Sequence, residues 1–217
     1  MRLALLTSVL LSTSIMPASA RDLDAKFLIE RKGKVIGYHE VRVEPTSDGM
    51  RVETDIEMKV KFGPIPVFRY RHDSTEIWRN DEVVSIVART NNNGDKEFIN
   101  AKRSGEKLMI EGSAYEGPAP VDAAPSSYWN KDMLSASALI STQNGEIIDI
   151  TVYDKGETEA PHSQTAEHYF LNGTVGLNIW YDGEKWVGSN FTVDGEELTY
   201  VLVDDEQDYA SLEEFLN

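Results

Sequence analysis

Six Asn-Gly or Asp-Gly dipeptides divide this sequence into short segments, and they constrain its fold more than any other feature. Asn, Asp and Gly tolerate the positive φ that both central residues of a tight hairpin turn require. Placed between alternating segments, such pairs predict hairpins that join neighbouring antiparallel strands. The pairs are Asp48-Gly49, Asn93-Gly94, Asn144-Gly145, Asn172-Gly173, Asp182-Gly183 and Asp194-Gly195.

The segments between these turns alternate with the period of a half-buried β-strand. In MRVETDIEMKVKF, residues 50–62, one face is mostly apolar and the other is charged, and no helical stripe fits this spacing. About a dozen such segments predict an all-β chain, an antiparallel meander that forms an open or flattened barrel to hide its edges. ELTYVLV, residues 197–203, is apolar on both faces and is expected to be a central strand or to lie under a helix.

Two regions interrupt this pattern. Residues 112–127 contain three prolines and predict a long loop that covers one opening of the fold, and the following YWNKDMLSASALIS predicts one short helix with Asn130 as its N-cap. Residues 21–203 are thus expected to form a single β-rich domain. Residues 204–217 form an acidic tail that either frays or docks weakly as a C-terminal helix, with an apolar stripe of Tyr209, Leu212, Phe215 and Leu216.

The N-terminal residues 1–20 are typical of a secretory signal peptide. Arg2 precedes an apolar run, and Ala18-Ser19-Ala20 is a small-residue cleavage site. We therefore expect a mature chain that begins at Arg21 and is periplasmic or secreted. No cysteine follows the run, which excludes a lipoprotein anchor, and no later apolar run has the length of a transmembrane helix.

Composition narrows the classes of partner and cofactor. A formal net charge of −16 argues against nucleic acid and anionic membrane surfaces as partners, because both carry negative charge. The absence of cysteine removes disulfides, thiolate metal ligands and a cysteine nucleophile. Because the sequence also lacks phosphate-binding glycine motifs and a zinc-like spacing of histidines, no cofactor and no metal are expected.

The stretch FRYRHDSTEIW, residues 68–78, carries the most suggestive group of side chains. If it is a strand, one face presents Phe68, Tyr70, His72, Ser74, Glu76 and Trp78. His72 and Glu76 would then lie roughly 13 Å apart along the strand, too far to share a metal or exchange a proton directly. The favoured interpretation is ordinary sheet interior, the second is the wall of a ligand cavity, and an active site is third.

Aromatic residues elsewhere extend the ligand-wall interpretation. Tyr128 and Trp129 follow the proline-rich loop, and Trp180 lies in a predicted hairpin with other aromatic residues. Such residues most often pair across strands, but an aromatic wall with polar groups at its mouth is also typical of small-ligand sites. No catalytic residue is nominated, and the candidate ligand-binding residues are Phe68, Tyr70, His72, Glu76, Trp78, Tyr128, Trp129 and Trp180.

Several stretches together carry a resemblance to a known family. They are GKVIGYHEV, VKFGPIPVFRYRHDSTEIW, TNNNG, YWNKDM followed by TQNGE, and NIWYDGEKWVGSNFTVDGEELTYVL, and they extend over most of the chain from Ala25 to Val203. The chain resembles a family of exported proteobacterial proteins that carry a domain of unknown function, and it is similar in pattern to a broader group of exported β-rich proteins. The resemblance implies an antiparallel β-fold, an opened or flattened barrel, and it implies no activity, ligand or catalytic residue.

Three functions are compatible with these features. The sequence favours a non-enzymatic binding or carrier module for a small or lipidic ligand. The alternative is an envelope assembly factor that binds another protein through a sheet edge. A hydrolase or lyase built around His72 and Glu76 comes third, because the sequence contains no recognisable catalytic motif.

Overall fold

The computed structural model describes residues 23–62, 65–174, 176–193, 195–204, 210–211 and 215, without the side chains of Lys61, Phe62 and Pro66. These residues form sixteen strands: β1 (Ala25–Arg31), β2 (Lys34–Thr46), β3 (Gly49–Phe62), β4 (Ile65–Arg79), β5 (Glu82–Asn92), β6 (Asp95–Ser104), β7 (Lys107–Gly112), β8 (Glu116–Pro118), β9 (Ala123–Pro125), β10 (Ala138–Ile140), β11 (Ile147–Asp149), β12 (Thr151–Glu159), β13 (Thr165–Asn172), β14 (Leu177–Asp182), β15 (Lys185–Val193) and β16 (Glu196–Leu202).

Thirteen of the strands form one large antiparallel sheet in the order β12-β13-β14-β15-β16-β1-β2-β3-β4-β5-β6-β7-β8. The other three form a small sheet in the order β11-β10-β9, in which β9 and β10 are parallel. Along the chain β8 leads into β9, and β11 leads into β12, so the small sheet connects the two outer strands of the large one. The predicted all-β antiparallel fold is therefore confirmed, and because β8 and β12 do not pair among the described residues, the large sheet is not a closed barrel.

The predicted turns join the strands that the alternation indicated. Asn93-Gly94 lies between β5 and β6, and Asp182-Gly183 lies between β14 and β15, each pair of strands being antiparallel. The positive φ of Asn93, 54°, and of Gly94, 109°, is the backbone conformation for which this dipeptide is suited. ELTYVLV falls on β16, which lies between β15 and β1 in the interior of the sheet, as predicted for a strand that is apolar on both faces.

The interrupted region contains more strand than the sequence indicated. Residues 112–127 are not one long loop, because they include β8 and β9, each at the edge of its sheet. Such edge positions tolerate Pro118 and Pro125, which lack a backbone donor, and Pro120 lies between the two strands. The expected helix is a single 3-10 turn, Lys131–Ser135, whose predicted N-cap Asn130 accepts a hydrogen bond from the backbone N of Asp132. The prediction that the helix continues beyond Ser135 is wrong, because Ala138–Ile140 forms β10.

Two sequence predictions fall mainly outside the described residues. The signal peptide at residues 1–20 lies outside them, as does most of the expected C-terminal helix. Phe215 is described, and its ring meets Tyr38 edge-on at a centroid distance of 6.3 Å on the outer face of the sheet. No described helix is long and apolar enough to cross a membrane.

The inner face of the large sheet is packed differently at its two ends. Towards one end, side chains such as Val52, Ile86, Trp129 and Trp186 form a continuous buried core. At the other end lie the β1–β2, β3–β4 and β15–β16 hairpins, where the inner face surrounds a cavity. The inward-facing side chains of β3 and β4 therefore belong to the packed core at one end of these strands and line the cavity at the other.

Candidate functional site

A cavity of about 640 Å³ lies between the inner face of the large sheet and the small sheet. Strands β2–β4 contribute to one wall and β13–β16 to the facing wall, while residues 126–150 of the small-sheet region close a third side. Because both walls belong to one curled sheet, the strand alternation decides which residues can reach the cavity.

The wall of the cavity is mostly apolar. Ile56, Met58 and Val60 project from β3 at alternate positions, as a strand that faces a cavity requires. Phe191 and Leu198 face them from β15 and β16. Apolar side chains also come from other elements and include Ile36, Val67, Phe68, Leu139, Ile148, Ile150, Leu171, Leu177 and Val193.

The mouth of the cavity lies at the hairpin end of the sheet. Arg31 and Glu196 line it and form a salt bridge of 3.2 Å. Val67 and Val193 line the same end and are 54% and 40% exposed, although both are large apolar residues. Glu196 also pairs with the neighbouring Lys32 at 2.8 Å, so the rim combines exposed apolar surface with a cluster of two cations and one carboxylate.

The inner end of the cavity, which we call the polar floor, consists of His39, Thr54, His72, Ser127, Tyr128 and Tyr200. Beneath it an aromatic cluster fills the core: the His39 ring lies 5.0 Å from Trp186 and 5.7 Å from Tyr200, and Phe27 lies 3.8 Å from Trp186, measured between centroids. The floor therefore separates the hollow part of the barrel from its packed part.

His39 is buried without any hydrogen bond. Its side chain is only 3% exposed, and both ring nitrogens lack a partner among the described residues. Burial, and to a smaller extent the nearby His72, lowers the pKa of His39 to about 3. The ring is therefore neutral at physiological pH, with one free donor and one free acceptor.

His72 is held in a defined tautomer. Its Nδ1 lies 2.8 Å from the hydroxyl of Thr90, and that hydroxyl donates to the carbonyl of Gln143 at 3.2 Å. Because a hydroxyl has one proton to donate, it accepts from Nδ1–H of His72, which leaves Nε2 unprotonated. Burial lowers the pKa of His72 to about 4, so this ring is neutral as well.

Above the floor, the hydrogen-bonded side chain of Gln143 closes the cavity wall. The Tyr70 hydroxyl donates to Oε1 of Gln143 at 3.0 Å, and Nε2 of Gln143 donates to Glu97 at 2.5 Å. These bonds fix the turn between β10 and β11 against β4 and β6. Burial raises the pKa of Tyr70, so its hydroxyl remains a proton donor in this network.

Tyr128 reaches the floor from a strained turn. Its φ of 33° is unusual for a residue with a side chain, and such conformations are concentrated at functional positions. The turn is held by its own backbone, through a bond from Trp129 N to Ser127 O, and by the Tyr181 hydroxyl, which donates to the Tyr128 carbonyl at 2.7 Å. Burial raises the pKa of Tyr128 to about 12.

Glu76 lies beneath the floor and not in the cavity wall. The indole of Trp78 donates to its Oε2 at 2.7 Å, and the Trp78 ring meets Trp129 edge-on at 5.3 Å. Burial raises the pKa of Glu76, and this effect exceeds the lowering by Trp78, Ser127 and Trp129. Oε1 of Glu76 and Nε1 of Trp129 have no well-formed hydrogen bond within the described part of the chain.

The structure thus divides the eight sequence candidates. Phe68, Tyr70, His72 and Tyr128 line the cavity, whereas Glu76, Trp78 and Trp129 support it from below. Trp180 does not line the cavity: the alternation of β14 places it on the face opposite Leu177, where it is nevertheless buried. There its indole donates to Thr158 at 2.8 Å and its ring stacks on His168 at 4.3 Å.

Sequence reasoning missed His39, Thr54 and Tyr200, which complete the floor. The sequence did indicate that His39 faces inward, because it alternates with Val41 and Val43, which both face the core. Tyr200 lies in a strand that is apolar on both faces, so alternation gave no indication of which face was internal. Within the described residues no group of three or more His, Asp or Glu side chains could hold a metal ion.

Fold and cavity together define a β-barrel-like protein with an open sheet and an apolar internal cavity. The chain matches, over residues 27–203, the family model described as Domain of unknown function (DUF6134), and it belongs to that family. This confirms the predicted membership of a β-rich family of unknown function. No curated protein matches the chain.

A solved structure shares the fold. The chain is similar to a β-barrel-like protein of the domain of unknown function DUF1849 from Brucella abortus, with a TM-score of 0.61 and 8% sequence identity. The alignment covers 83% of this chain and 95% of that one. At such low identity the likeness concerns the fold alone.

Proposed function

We propose that this protein is an exported, non-enzymatic binding or carrier module whose internal cavity holds a small amphipathic or lipidic ligand. The observation that carries the proposal is the composition of the cavity, an apolar wall that ends in a polar floor. Small-ligand sites commonly enclose about 300–1,000 Å³ and combine apolar walls with a few placed polar groups. At about 640 Å³ this cavity falls within that range.

The mouth supports the same function. Val67 and Val193 place exposed apolar surface beside the opening, where an apolar ligand would pass. The N-terminal residues 1–20 support export, since they have the features of a signal peptide.

The alternative, an assembly factor that binds a partner through a sheet edge, has less support. β12 is an outer strand, but its pairing with β13 shifts between Asp154 and Glu157, and it also carries Lys155 and Glu159. Bulges and charges of this kind protect edge strands against the addition of another strand.

The proposal is tested by filling the cavity. Val60→Trp places an indole into the cavity wall, whereas the matched Val87→Trp adds the same group on the exposed outer face of β5. Binding of the neutral fluorescent probe N-phenylnaphthylamine would be titrated for both variants and the wild type. We expect Val60→Trp to weaken binding at least about tenfold and Val87→Trp to leave it unchanged.

Two outcomes bear directly on the proposal. Equal binding of the probe by both variants would place its site outside the cavity and overturn the proposal. Native mass spectrometry of protein purified from its own host, without detergent, should in addition reveal a co-purified ligand of low polarity, released on denaturation.

A further inference from the structure

We propose that the polar floor is a recognition subsite for an uncharged hydroxyl group at the end of an apolar chain. This inference rests on the proposed function, because it names the class of ligand that the same cavity selects. In this arrangement the hydroxyl is placed at the floor beside His39, and the chain extends along the apolar wall towards Arg31 and Glu196 at the mouth.

The unpartnered ring of His39 is the first observation. It lines the cavity, is 3% exposed, and has no hydrogen bond at either ring nitrogen among the described residues. A buried polar group without a partner loses its hydrogen bonds to water and gains none in return, so native proteins rarely retain one without a reason. A ligand group that pairs with the ring would remove this cost.

The donor and acceptor pattern of the floor selects the group. Neutral His39 offers one N–H donor and one nitrogen acceptor, and the Thr90 bond leaves Nε2 of His72 as a further acceptor. A hydroxyl both donates and accepts, and can therefore satisfy this pattern. An ether or ester oxygen only accepts and would leave the acceptors of the floor unpaired.

The charges around the floor disfavour an ionised group. His39 and His72 are neutral, and the tyrosines of the floor remain protonated because burial raises their pKa values. Of the nearby carboxyl groups, Glu97 is bonded to Gln143, Glu76 accepts from Trp78 below the floor, and Glu146 lines the cavity from an exposed position. At the mouth, Arg31 is already paired with Glu196. A carboxylate or ammonium group at the floor would therefore be desolvated without an opposite charge.

The test compares two probes of equal chain length that differ in the donor proton. Dodecanol and dodecyl methyl ether would each displace N-phenylnaphthylamine from the wild-type protein at neutral pH. We expect dodecanol to bind about fivefold to tenfold more tightly than the ether, the effect of one additional buried hydrogen bond.

Histidine variants locate the preference. His39→Phe should reduce the preference for dodecanol while dye binding persists, because only the acceptor of His72 remains, and His39→Gln, which keeps a donor and an acceptor, should retain it in full. His168→Phe is the matched control, because His168 stacks on Trp180 away from the cavity. The comparison of dodecanol with the ether on the wild-type protein tests the hydroxyl preference even if His39→Phe fails to fold.

The outcomes separate this inference from the proposed function. If both probes bind the wild type equally, or if His39→Phe shows the full wild-type preference, the hydroxyl subsite is wrong although the cavity still binds apolar chains. If neither probe nor the dye binds the wild-type protein, the proposed function fails and the subsite with it.

Discussion

His39 on β2 and His72 on β4 are register partners of the same residue, Ile56 of β3. The three strands are adjacent in the sheet, and all three side chains line the cavity. Two neutral imidazoles therefore flank an apolar side chain on one concave surface. This arrangement has consequences for stability as well as for binding, because both rings are buried in the folded protein and exposed to water when it unfolds.

Acid should destabilise the protein through His39. Its folded-state pKa of about 3 lies below the ordinary value of 6.5, so the unfolded chain binds more protons between these limits. Stability is therefore full above about pH 6.5 and falls as the pH drops towards 3. From about pH 8 to about pH 5 the loss from this residue is on the order of 2 kcal/mol, and His72 acts in the same direction.

Urea unfolding at both pH values measures this loss. His39→Phe should reduce the difference in unfolding free energy between them by about 2 kcal/mol. Leu198→Ala is the control, since it alters the cavity wall without removing a titratable group. A pH dependence that is the same in His39→Phe as in the wild type would contradict the prediction.

Glu76 should act on stability in the opposite direction. Burial raises its folded-state pKa above 4.5, so the native protein retains this proton longer than the unfolded chain does. Stability due to this residue therefore falls as the pH rises from 4.5 through the folded-state pKa, where the buried carboxyl ionises. Glu76→Gln removes the ionisation while an amide oxygen can still accept from Trp78.

Thermal unfolding across this range provides the measurement. The stability of Glu76→Gln relative to the wild type should increase with rising pH. Trp78→Phe removes the indole that donates to Glu76 at 2.7 Å. Because this hydrogen bond lowers the pKa of Glu76, its loss should make stability decline more steeply with rising pH. A constant difference between Glu76→Gln and the wild type would show that Glu76 ionises freely in the folded state.

Local patterns explain why most of the fold could be predicted. The alternating segments AKFLIER (25–31), KLMIEG (107–112) and KWVGSNFTV (185–193) are among the dozen that predict strands, and they coincide with β1, β7 and β15, because alternation and turn residues act over short distances. β9 and β10 were missed because each is three residues long, and a period of two cannot be recognised over so few positions. Their pairing is parallel, so no hairpin turn marks it in the sequence.

The site was only partly predictable, for a related reason. Alternation correctly placed Phe68, Tyr70, His72, Glu76 and Trp78 on one buried face. It gave no indication that the first three would line a cavity while the last two would lie in the core beneath. That boundary depends on where Tyr128 and Trp129 insert, and their position follows from the small sheet. The role of any of these residues in ligand binding stays a prediction.

Trp129 should be essential to the core below the floor. Its ring is 5% exposed and packs edge-on against Trp78. Trp129→Ala should reduce the unfolding free energy by roughly 3–5 kcal/mol, as expected for the loss of a large buried aromatic side chain. Tyr153→Ala is the control, because this aromatic residue is 49% exposed on β12 and should cost far less. Equal urea midpoints for the two variants would refute the structural role assigned to Trp129.

Processing of the N-terminus provides an independent test of export. Expressed in a bacterial host with its full sequence, the protein should accumulate in the periplasm with an intact mass that corresponds to a chain beginning at Arg21. Ala20→Arg should block cleavage, because small residues are required at this position. Cytoplasmic protein that retains Met1 or residues 2–20 would contradict the predicted export.

Gly112 should control how tightly the small-sheet region closes the cavity. A Cβ at this position would lie 2.4 Å from the carbonyl oxygen of Asn144, which also accepts from the backbone N of Ala114 at 3.0 Å. The same turn carries Gln143, which connects Tyr70 to Glu97. Gly112→Ala should therefore displace the turn, reduce the unfolding free energy by about 1–3 kcal/mol and accelerate the release of N-phenylnaphthylamine.

Glu111→Ala, at the exposed neighbouring position, should change neither quantity. Stopped-flow release of the dye and urea unfolding would measure the two effects, and a destabilised Gly112→Ala that releases the dye at the rate of Glu111→Ala would show that this turn does not close the cavity.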